Sequence, residues 1–363
     1  MTPRWINLQG TLGDNNLSLE AAKSGTLGSL GRELADRIGA RAIADAQASG
    51  LAAVCITLGH VLGDGDAFAL TLADLDRWDA FLAARADVFT RAGSAAQVTA
   101  AAAAGRVAVV PGFQNSEMLG ADAARVALFA RRGVRIMQLT YNGANRVGAG
   151  CMVTQPEGLS AFGHEVLDAM AAARVLPDLS HAHETTLGDA LAHFQGPLLV
   201  SHTGCRALAD HARNLSDAAL QGVADSGGVV GVYAMPFLRD RGQPLLADWL
   251  RHIEHALQVC GEDHVGVGTD GPVTAIDDVP AYMRHLAEDI AERRRLGVSA
   301  GGEDPEVALF LPDCRGPQQF RQLADALAAR GHRAACIDKV LGANALRVLA
   351  QDPRAAPTSF TMA

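Results

Sequence analysis

Eight short apolar runs recur along the 363-residue chain, and most are followed by a longer stretch with apolar residues at helical spacing. The runs are rich in valine, isoleucine and leucine and cover residues 5–9, 53–58, 107–113, 134–139, 175–179, 198–201, 229–234 and 265–269. Near-continuous apolar character is typical of strands buried on both faces, as in parallel sheets. Eight strand–helix repeats therefore predict an α/β fold, the (β/α)8 barrel.

The stretches between the runs support one domain rather than two. Residues 122–132, 163–173 and 247–260 repeat apolar side chains at helical spacing. An open, doubly wound sheet is the main competitor, but no glycine-rich phosphate loop follows the first run. Residues 312–350 predict two further helices packed on the outside of the barrel. Barrels of this type run from about 250 to over 400 residues, so we expect residues 1–363 to form a single domain.

Composition and charge restrict the partners. Hydrophobic content of 49% with 20% charged residues is that of a packed globular protein. A net charge of −9 argues against nucleic-acid binding. The longest basic run, Arg293 to Arg295, is expected to be a solvated helix face. No apolar stretch reaches the roughly 18 residues of a membrane span. We therefore expect no nucleic-acid or membrane partner, and a homodimer stays open.

The six cysteines are scattered and form no Cys-x-x-Cys pair. In a chain of this length the pattern predicts buried or free thiols in a reducing compartment. The first residues run directly into an apolar strand pattern without the apolar segment of a signal peptide. The expected location is the cytoplasm.

In such barrels the active site lies at the carboxyl ends of the strands. Two of these ends carry a Ser-His pair, Ser180-His181 and Ser201-His202, and the last carries Asp270. Two imidazoles and a carboxylate on neighbouring strand ends are a reasonable open zinc site, because catalytic zinc takes three protein ligands and leaves a position for water.

Structural roles are the competing interpretation for these side chains. A histidine at a strand end is often a hydrogen-bonded structural residue, and Asp270 could instead cap the amino terminus of a helix. Five further histidines lie in helical patterns, and we interpret them as structural: His164, His193, His252, His255 and His285.

Several motifs in the same order resemble the membrane dipeptidase family of zinc peptidases. Pro-Asp-Leu-Ser-His and Pro-Leu-Leu-Val-Ser-His resemble its two histidine strands, and the two histidines are 21 residues apart, as in that family. The resemblance extends from about Val107 to Leu349 and rests on residues 177–181, 197–202, 210–215, 227–232, 263–271 and 342–347.

The resemblance implies a barrel that hydrolyses dipeptides, often with a D-residue at the carboxyl side. By position, His181 and His202 would hold one zinc and Asp270 would belong to the other. Arg213 would grip the substrate carboxylate through a bidentate pair, which suits a planar guanidinium. A surface salt bridge is the alternative role for Arg213.

The departures from the family are informative. Family members carry His-x-Asp at the end of the first strand, where this chain has Gln9 and Thr11. A bridging glutamate and a substrate-contacting histidine are replaced by Gln114 and Tyr141. A neutral amide bridges two dications poorly, because their repulsion needs anionic ligands between them. We therefore expect one zinc per chain, with a metal-free site as the alternative.

Three functions remain open from the sequence. The first is a hydrolase in which His181, His202 and perhaps Asp270 hold zinc, and in which Asp270 is the general base if it is not a ligand. Substrate contacts are expected from Arg213, Gln114, Tyr141 and Asn142. The second is a metal-free protein that binds a small molecule or partner without hydrolysis. The third is a deaminase-like activity, which the missing first-strand His-x-His disfavours.

Overall fold

The computed structural model describes residues 5–16, 38–295, 299 and 301–350, and the eight predicted strands form a parallel barrel. The barrel order is β1-β2-β4-β5-β6-β7-β8-β9. The strands are β1 Trp5–Asn7, β2 Leu51–Thr57, β3 Phe89–Arg91, β4 Val107–Phe113, β5 Ile136–Gln138, β6 Leu176–Asp178, β7 Leu199–Thr203, β8 Val229–Val232 and β9 Val265–Val267. This arrangement confirms the predicted (β/α)8 fold.

Backbone hydrogen bonds between the last and first strand regions close the barrel. The amide of Leu8 donates to the carbonyl of Val267 over 2.8 Å, and the amide of Asp270 donates to the carbonyl of Gln9 over 2.9 Å. The end of β1 is thereby fixed beside the segment that carries Asp270.

The sequence pattern did not predict β3, which pairs only with the first half of β4. The later residues of β4, Gly112 and Phe113, pair with β5 instead. Strand β3 has only three residues and lacks an apolar run. Its position is therefore set by tertiary pairing rather than by local pattern.

Helices separate the strands, as the spacing predicts. They are α1 Ala40–Ala48, α2 Ala67–Ala84, α3 Ala95–Ala103, α4 Arg125–Arg131, α5 Ala161–Ala173, α6 Glu184–His193, α7 Asp217–Asp225, α8 Leu246–Cys260, α9 Val279–Arg295, α10 Gln319–Ala329, α11 Ala334–Asp338 and α12 Asn344–Ala350. A π-helical turn, Lys339–Ala343, joins α11 to α12. The five histidines expected on helices all lie on them.

The carboxyl-terminal helices contact the barrel in two places. In α10, Phe320 and Leu323 join the large hydrophobic cluster that includes the barrel strands, and the Phe320 ring stacks on Trp5. In α12, the amide of Asn344 donates to the carbonyl of Val265, and Arg347 donates to the carbonyl of Gly227. These carbonyls lie at or just before the first residues of β9 and β8, so α12 lies at the end of the barrel opposite the candidate site.

The cysteines agree with the prediction of buried or free thiols. All six cysteines are buried and unpaired. Within the described ranges, no helix combines the length and the apolar character that crossing a bilayer requires.

Candidate active site

Two imidazoles meet at the centre of the carboxyl-terminal end of the barrel. His181 follows β6 and His202 lies in β7, and their Nε2 atoms are 3.0 Å apart. A carboxylate oxygen of Asp270, which follows β9, lies 3.9 Å from Nε2 of His202. The strand ends therefore bring together the three residues that the sequence suggested as zinc ligands.

A bulge in β7 aims His202 into the barrel. The pairing of β7 with β8 shifts register between Val200 and Thr203, and a bulge of this kind redirects a side chain. The carbonyl of Ser201 turns towards β8 and β9. A Cβ atom on Gly231 or Gly268 would lie 2.0 Å from that oxygen. Both positions therefore require glycine so that the backbone of β7 can approach.

Hydrogen bonds at Nδ1 orient both rings. Nδ1 of His181 lies 2.8 Å from the amide oxygen of Asn142, and Nδ1 of His202 lies 2.8 Å from Oγ of Ser201. An amide oxygen only accepts, so His181 is protonated at Nδ1 and its Nε2 carries a lone pair. This arrangement, in which the outer ring nitrogen donates to a fixed acceptor, orients metal-binding histidines in proteins.

A buried carboxylate, Asp178, holds the two Ser-His segments together. Its oxygens accept hydrogen bonds from the hydroxyls of Ser180 and Ser201 and from the amide of Gln138. Burial raises the pKa of Asp178, although the hydrogen bonds from Ser180 and Ser201 oppose the shift. Asp178 was not among the predicted site residues. The repeated Ser-His pair, with an aspartate two residues before the first, was the signal that could have found it.

Asp270 has a strained backbone and a perturbed carboxyl group. Its φ of 54° lies in the left-handed region that few non-glycine residues adopt. The alternative role as a helix cap is wrong, because the next helix begins at Val279. Burial raises the pKa of Asp270 to about 6, and the positive charge of Arg213 and a 3.4 Å hydrogen bond from Gln114 limit the rise.

Arg213 is buried beside His181, with 3% of its surface exposed. It donates to the carbonyl of Ser180, and its Nη2 atom lies 3.2 Å from Nε2 of His181. Its guanidinium carbon lies 5.8 Å from the centre of the Tyr233 ring. Among the described carboxylates, none forms an ion pair with Arg213, so the surface salt-bridge alternative is wrong.

Two other predicted substrate-contacting residues, Tyr141 and Asn142, lie against His181. The ring of Tyr141 stacks on His181 with centroids 4.2 Å apart, and Asn142 binds the same imidazole. Burial raises the pKa of Tyr141 to about 12, so its hydroxyl stays protonated. Cys151, which the sequence did not single out, is buried with its thiol directed at the amide oxygen of Asn142.

Gln9 and Thr11, which stand in place of the expected first-strand His-x-Asp, lie at the edge of the candidate site. The amide of Gln9 donates to the hydroxyl of Thr57 at the end of β2 over 2.7 Å. Thr11 pairs through its backbone with Pro272. His60, at the end of β2, lies 3.8 Å from Glu117 and has no contact with the paired imidazoles among the described interactions.

The donor atoms gathered here belong to two imidazoles and one carboxylate. Burial, together with the charge of Arg213, holds the pKa values of His181 and His202 well below the usual range, so both rings are neutral. Two imidazole nitrogens 3.0 Å apart need a proton or a cation between them. Gln114, however, brings no negative charge to a second metal. In the described part of the chain, no three or more His, Cys, Asp or Glu side chains are arranged to hold a metal.

The end of α9 contacts Glu303, and the neighbouring Gly301 contacts the loop after β7. Arg293 and Glu303 form a 3.2 Å ion pair that is nearly buried, with 12% and 11% of their side chains exposed. The expectation of a fully solvated basic run is therefore wrong at Arg293, which turns inward to Glu303. The carbonyl of Gly301 accepts a hydrogen bond from His211, two residues before Arg213.

Comparisons with known proteins agree with this architecture. The profile of the membrane dipeptidase family, peptidase family M19, matches residues 40–299. The uncharacterised protein in the pqqA 5′ region of Klebsiella pneumoniae is 32% identical over 232 residues, which are 61% of this chain and 73% of that protein. The curated relatives are matched over 45% to 73% of their own lengths.

Solved structures show the same fold. An amidohydrolase from Pseudomonas aeruginosa superposes with a TM-score of 0.77 at 26% identity, covering 95% of each chain. A metallopeptidase from Rhodobacter sphaeroides, bound to a phosphinate mimic of the dipeptide L-Ala-D-Ala, superposes with a TM-score of 0.73 at 19% identity, covering 96% of this chain and 99% of that one. The family profile covers more than half of the sequence, and the chain therefore belongs to the membrane dipeptidase family of metallopeptidases.

Proposed function

We propose that this chain hydrolyses a dipeptide or a related small amide, with one zinc ion per chain held by His181 and His202. The observation that carries the proposal is the pair of neutral imidazoles whose Nε2 atoms lie 3.0 Å apart, beside the carboxylate of Asp270. Neutral imidazole nitrogen is a preferred zinc donor. Zinc bound there would polarise the amide carbonyl of the substrate and make a neighbouring water more acidic.

The protein's own residues prepare the imidazoles for this role. Asn142 and Ser201 fix the rings through Nδ1, so neither Nε2 has to be turned towards the cation when it binds. Asp178 holds Ser201 in place in turn. The stacked ring of Tyr141 blocks one face of His181 and keeps water away from it.

Asp270 is the proposed general base, or a third ligand if its carboxylate moves closer to His202. A base with a pKa near 6 is ionised at neutral pH and still accepts a proton readily. It would take the proton from the attacking water and return it to the leaving amine. Gln114 keeps the carboxylate oriented through its amide N–H.

Arg213 is the proposed anchor for the substrate's carboxylate. A buried guanidinium that donates only to neutral acceptors gains most from an anionic partner. The dipeptide mimic bound to the Rhodobacter metallopeptidase supports a substrate of this size.

The test is metal content and turnover measured on the same preparation. Protein purified without chelator should contain at most one zinc per chain and should hydrolyse alanyl dipeptides, including L-Ala-D-Ala. The variant His202→Ala should lose both the metal and the turnover. Zinc in the wild type without turnover of any dipeptide tested, or turnover that survives in metal-free His202→Ala, would contradict the proposal.

A further inference from the structure

A polar cavity lies between the loops that follow three neighbouring strands of the barrel, β2, β4 and β5. Its volume is about 420 Å³, within the roughly 300–1,000 Å³ of small-molecule sites. The lining residues are Ala67, Ser116, Glu117, Gly120, Asn145 and Arg146. Because these loops follow the carboxyl ends of their strands, the cavity lies on the active-site face of the fold. None of its lining residues is among those that contact the paired imidazoles.

Two hydrogen-bond acceptors face each other at one wall of this cavity. Nε2 of His60 lies 3.0 Å from the carbonyl oxygen of Gly63, which only accepts, so the proton of the neutral ring is on Nε2. Nδ1 of the same ring is buried without a hydrogen-bond partner among the described residues, and it lies 3.8 Å from a carboxylate oxygen of Glu117. A buried acceptor without a donor costs free energy. An ammonium group carries three donors and can serve both acceptors at once.

Arg146 brings a positive charge to the same cavity. Its side chain is exposed and forms no ion pair with a carboxylate in the described ranges. The turn that carries it is fixed, because the Asn145 side chain donates to Ser116 over 3.1 Å and accepts from the backbone amide of Val147 over 2.8 Å. The guanidinium is therefore presented from a fixed backbone, and it can bind a ligand carboxylate through two parallel hydrogen bonds.

We propose that this cavity binds a small zwitterion, with its ammonium group beside Glu117 and His60 and its carboxylate on Arg146. Glu117 and Arg146 line one cavity without forming an ion pair with each other. A ligand that carries both charges therefore pairs with both residues. Free amino acids and short linear peptides have this chemistry. The site needs no metal ion and lies apart from the imidazoles, so the inference goes beyond the proposed hydrolysis.

The first test is isothermal titration calorimetry of the full chain with L-alanine and with 5-aminopentanoate. These zwitterions differ in the spacing of their charges and contain no amide bond to hydrolyse. At least one of them should bind with a dissociation constant of about 1 mM or below. The compounds that lack one charge are propionate and ethylamine for L-alanine, and pentanoate and pentylamine for 5-aminopentanoate. Each should bind about 10-fold more weakly or worse. No binding by either zwitterion, or equal binding by a compound with one charge, would overturn the proposal.

Variants then locate the bound zwitterion. Arg146→Gln and Glu117→Gln each remove one charge from an exposed residue, so the fold should be kept, and each should weaken binding about 10-fold or more. The matched controls are Arg241→Gln and Glu306→Gln, exposed residues outside the cavity, which should stay within about two-fold of wild type. Binding that is unchanged in both cavity variants but lost in Arg213→Gln would place the ligand beside the imidazoles and overturn the proposal. None of these measurements uses peptide turnover, so an inactive chain that binds the zwitterion here would contradict only the proposed hydrolysis.

Discussion

At the scale of single residues, the buried carboxyl group of Asp270, our proposed general base, lowers the stability of the fold when it is ionised. Its pKa is raised from the ordinary aspartate value to about 6 because burial disfavours the charge. A group whose folded-state pKa is raised binds protons more tightly when folded. Its stabilising contribution is therefore present at acid pH and is lost as the pH rises from about 4 to about 6.

We expect Asp270→Asn to abolish hydrolysis and to make the fold more stable at pH 7.5. The gain in the free energy of unfolding should be about 2 kcal/mol, since a shift of one pKa unit is worth about 1.4 kcal/mol and the side chain is partly exposed. It should shrink as the pH falls toward 4. Urea unfolding at pH 5.0 and 7.5 checks this, with exposed Asp325→Asn as the control. A gain of equal size at both pH values would show that the carboxyl group does not titrate in this range.

The residues that replace the metal ligands of the family lead to a second prediction. The triple variant Gln9→His, Thr11→Asp and Gln114→Glu supplies one imidazole and two carboxylates on the side of the site next to Asp270. Zinc content should rise from at most one towards two per chain, because the added anions offset repulsion between two dications. Elemental analysis compares the triple variant with Gln114→Glu alone, which should stay near one. Unchanged zinc in a folded triple variant would mean that these positions do not face a second metal.

At the scale of secondary-structure elements, the bulge in β7 decides where His202 points. It brings the carbonyl of Ser201 to positions that a Cβ on Gly231 or Gly268 would occupy. No apolar pattern reveals such a bulge, because the residues of β7 are buried on both faces whatever their register. The sequence could predict that β7 exists and ends at Ser-His, but not the turn of its backbone.

We predict that Gly231→Ala lowers the free energy of unfolding by about 2–3 kcal/mol, as an overpacked core does. It should also weaken zinc binding, because β7 must move away and carry His202 with it. The control is Gly188→Ala in α6, where an added Cβ meets open space. That change should stabilise the fold by about 0.5–1 kcal/mol. Chemical unfolding and zinc titration of both variants decide the matter, and a Gly231→Ala protein indistinguishable from wild type would contradict it.

The buried network of Asp178 shows why the site was only partly predictable. The candidate metal ligands His181, His202 and Asp270 lie at the carboxyl ends of strands. Because active sites of such barrels lie there, these three residues could be predicted from the sequence. Asp178, which holds the two Ser-His segments together, lies within a motif and could have been found from its position before the first Ser-His pair. Cys151 lies between the motifs and is recognisable only from its contacts. Arg213 lies beside His181 because of the path of the long loop between β7 and α7. The spacing of the strands in the sequence does not predict that path.

At the scale of the whole molecule, repetition made the architecture predictable. Each apolar run has to be covered on both faces, and eight such runs alternating with helices leave few solutions besides a closed parallel barrel. The short strand β3 was not predicted because its three residues form a strand only through pairing with the first residues of β4. The positions of Arg293 and Gly301 also follow from long-range contacts, with Glu303 and His211 respectively, and not from a local pattern.

The burial of the paired imidazoles has a consequence for the time course of the reaction. His202 is fully buried and His181 is 4% exposed. A peptide can reach these imidazoles only after side chains around them move, and the product must leave by the same movement. Motions of this size are slowed by solvent friction and often limit turnover in enzymes with covered sites. For a good substrate, kcat should therefore fall in proportion as sucrose raises the relative viscosity of the buffer, whereas a poor substrate limited by bond cleavage should be insensitive.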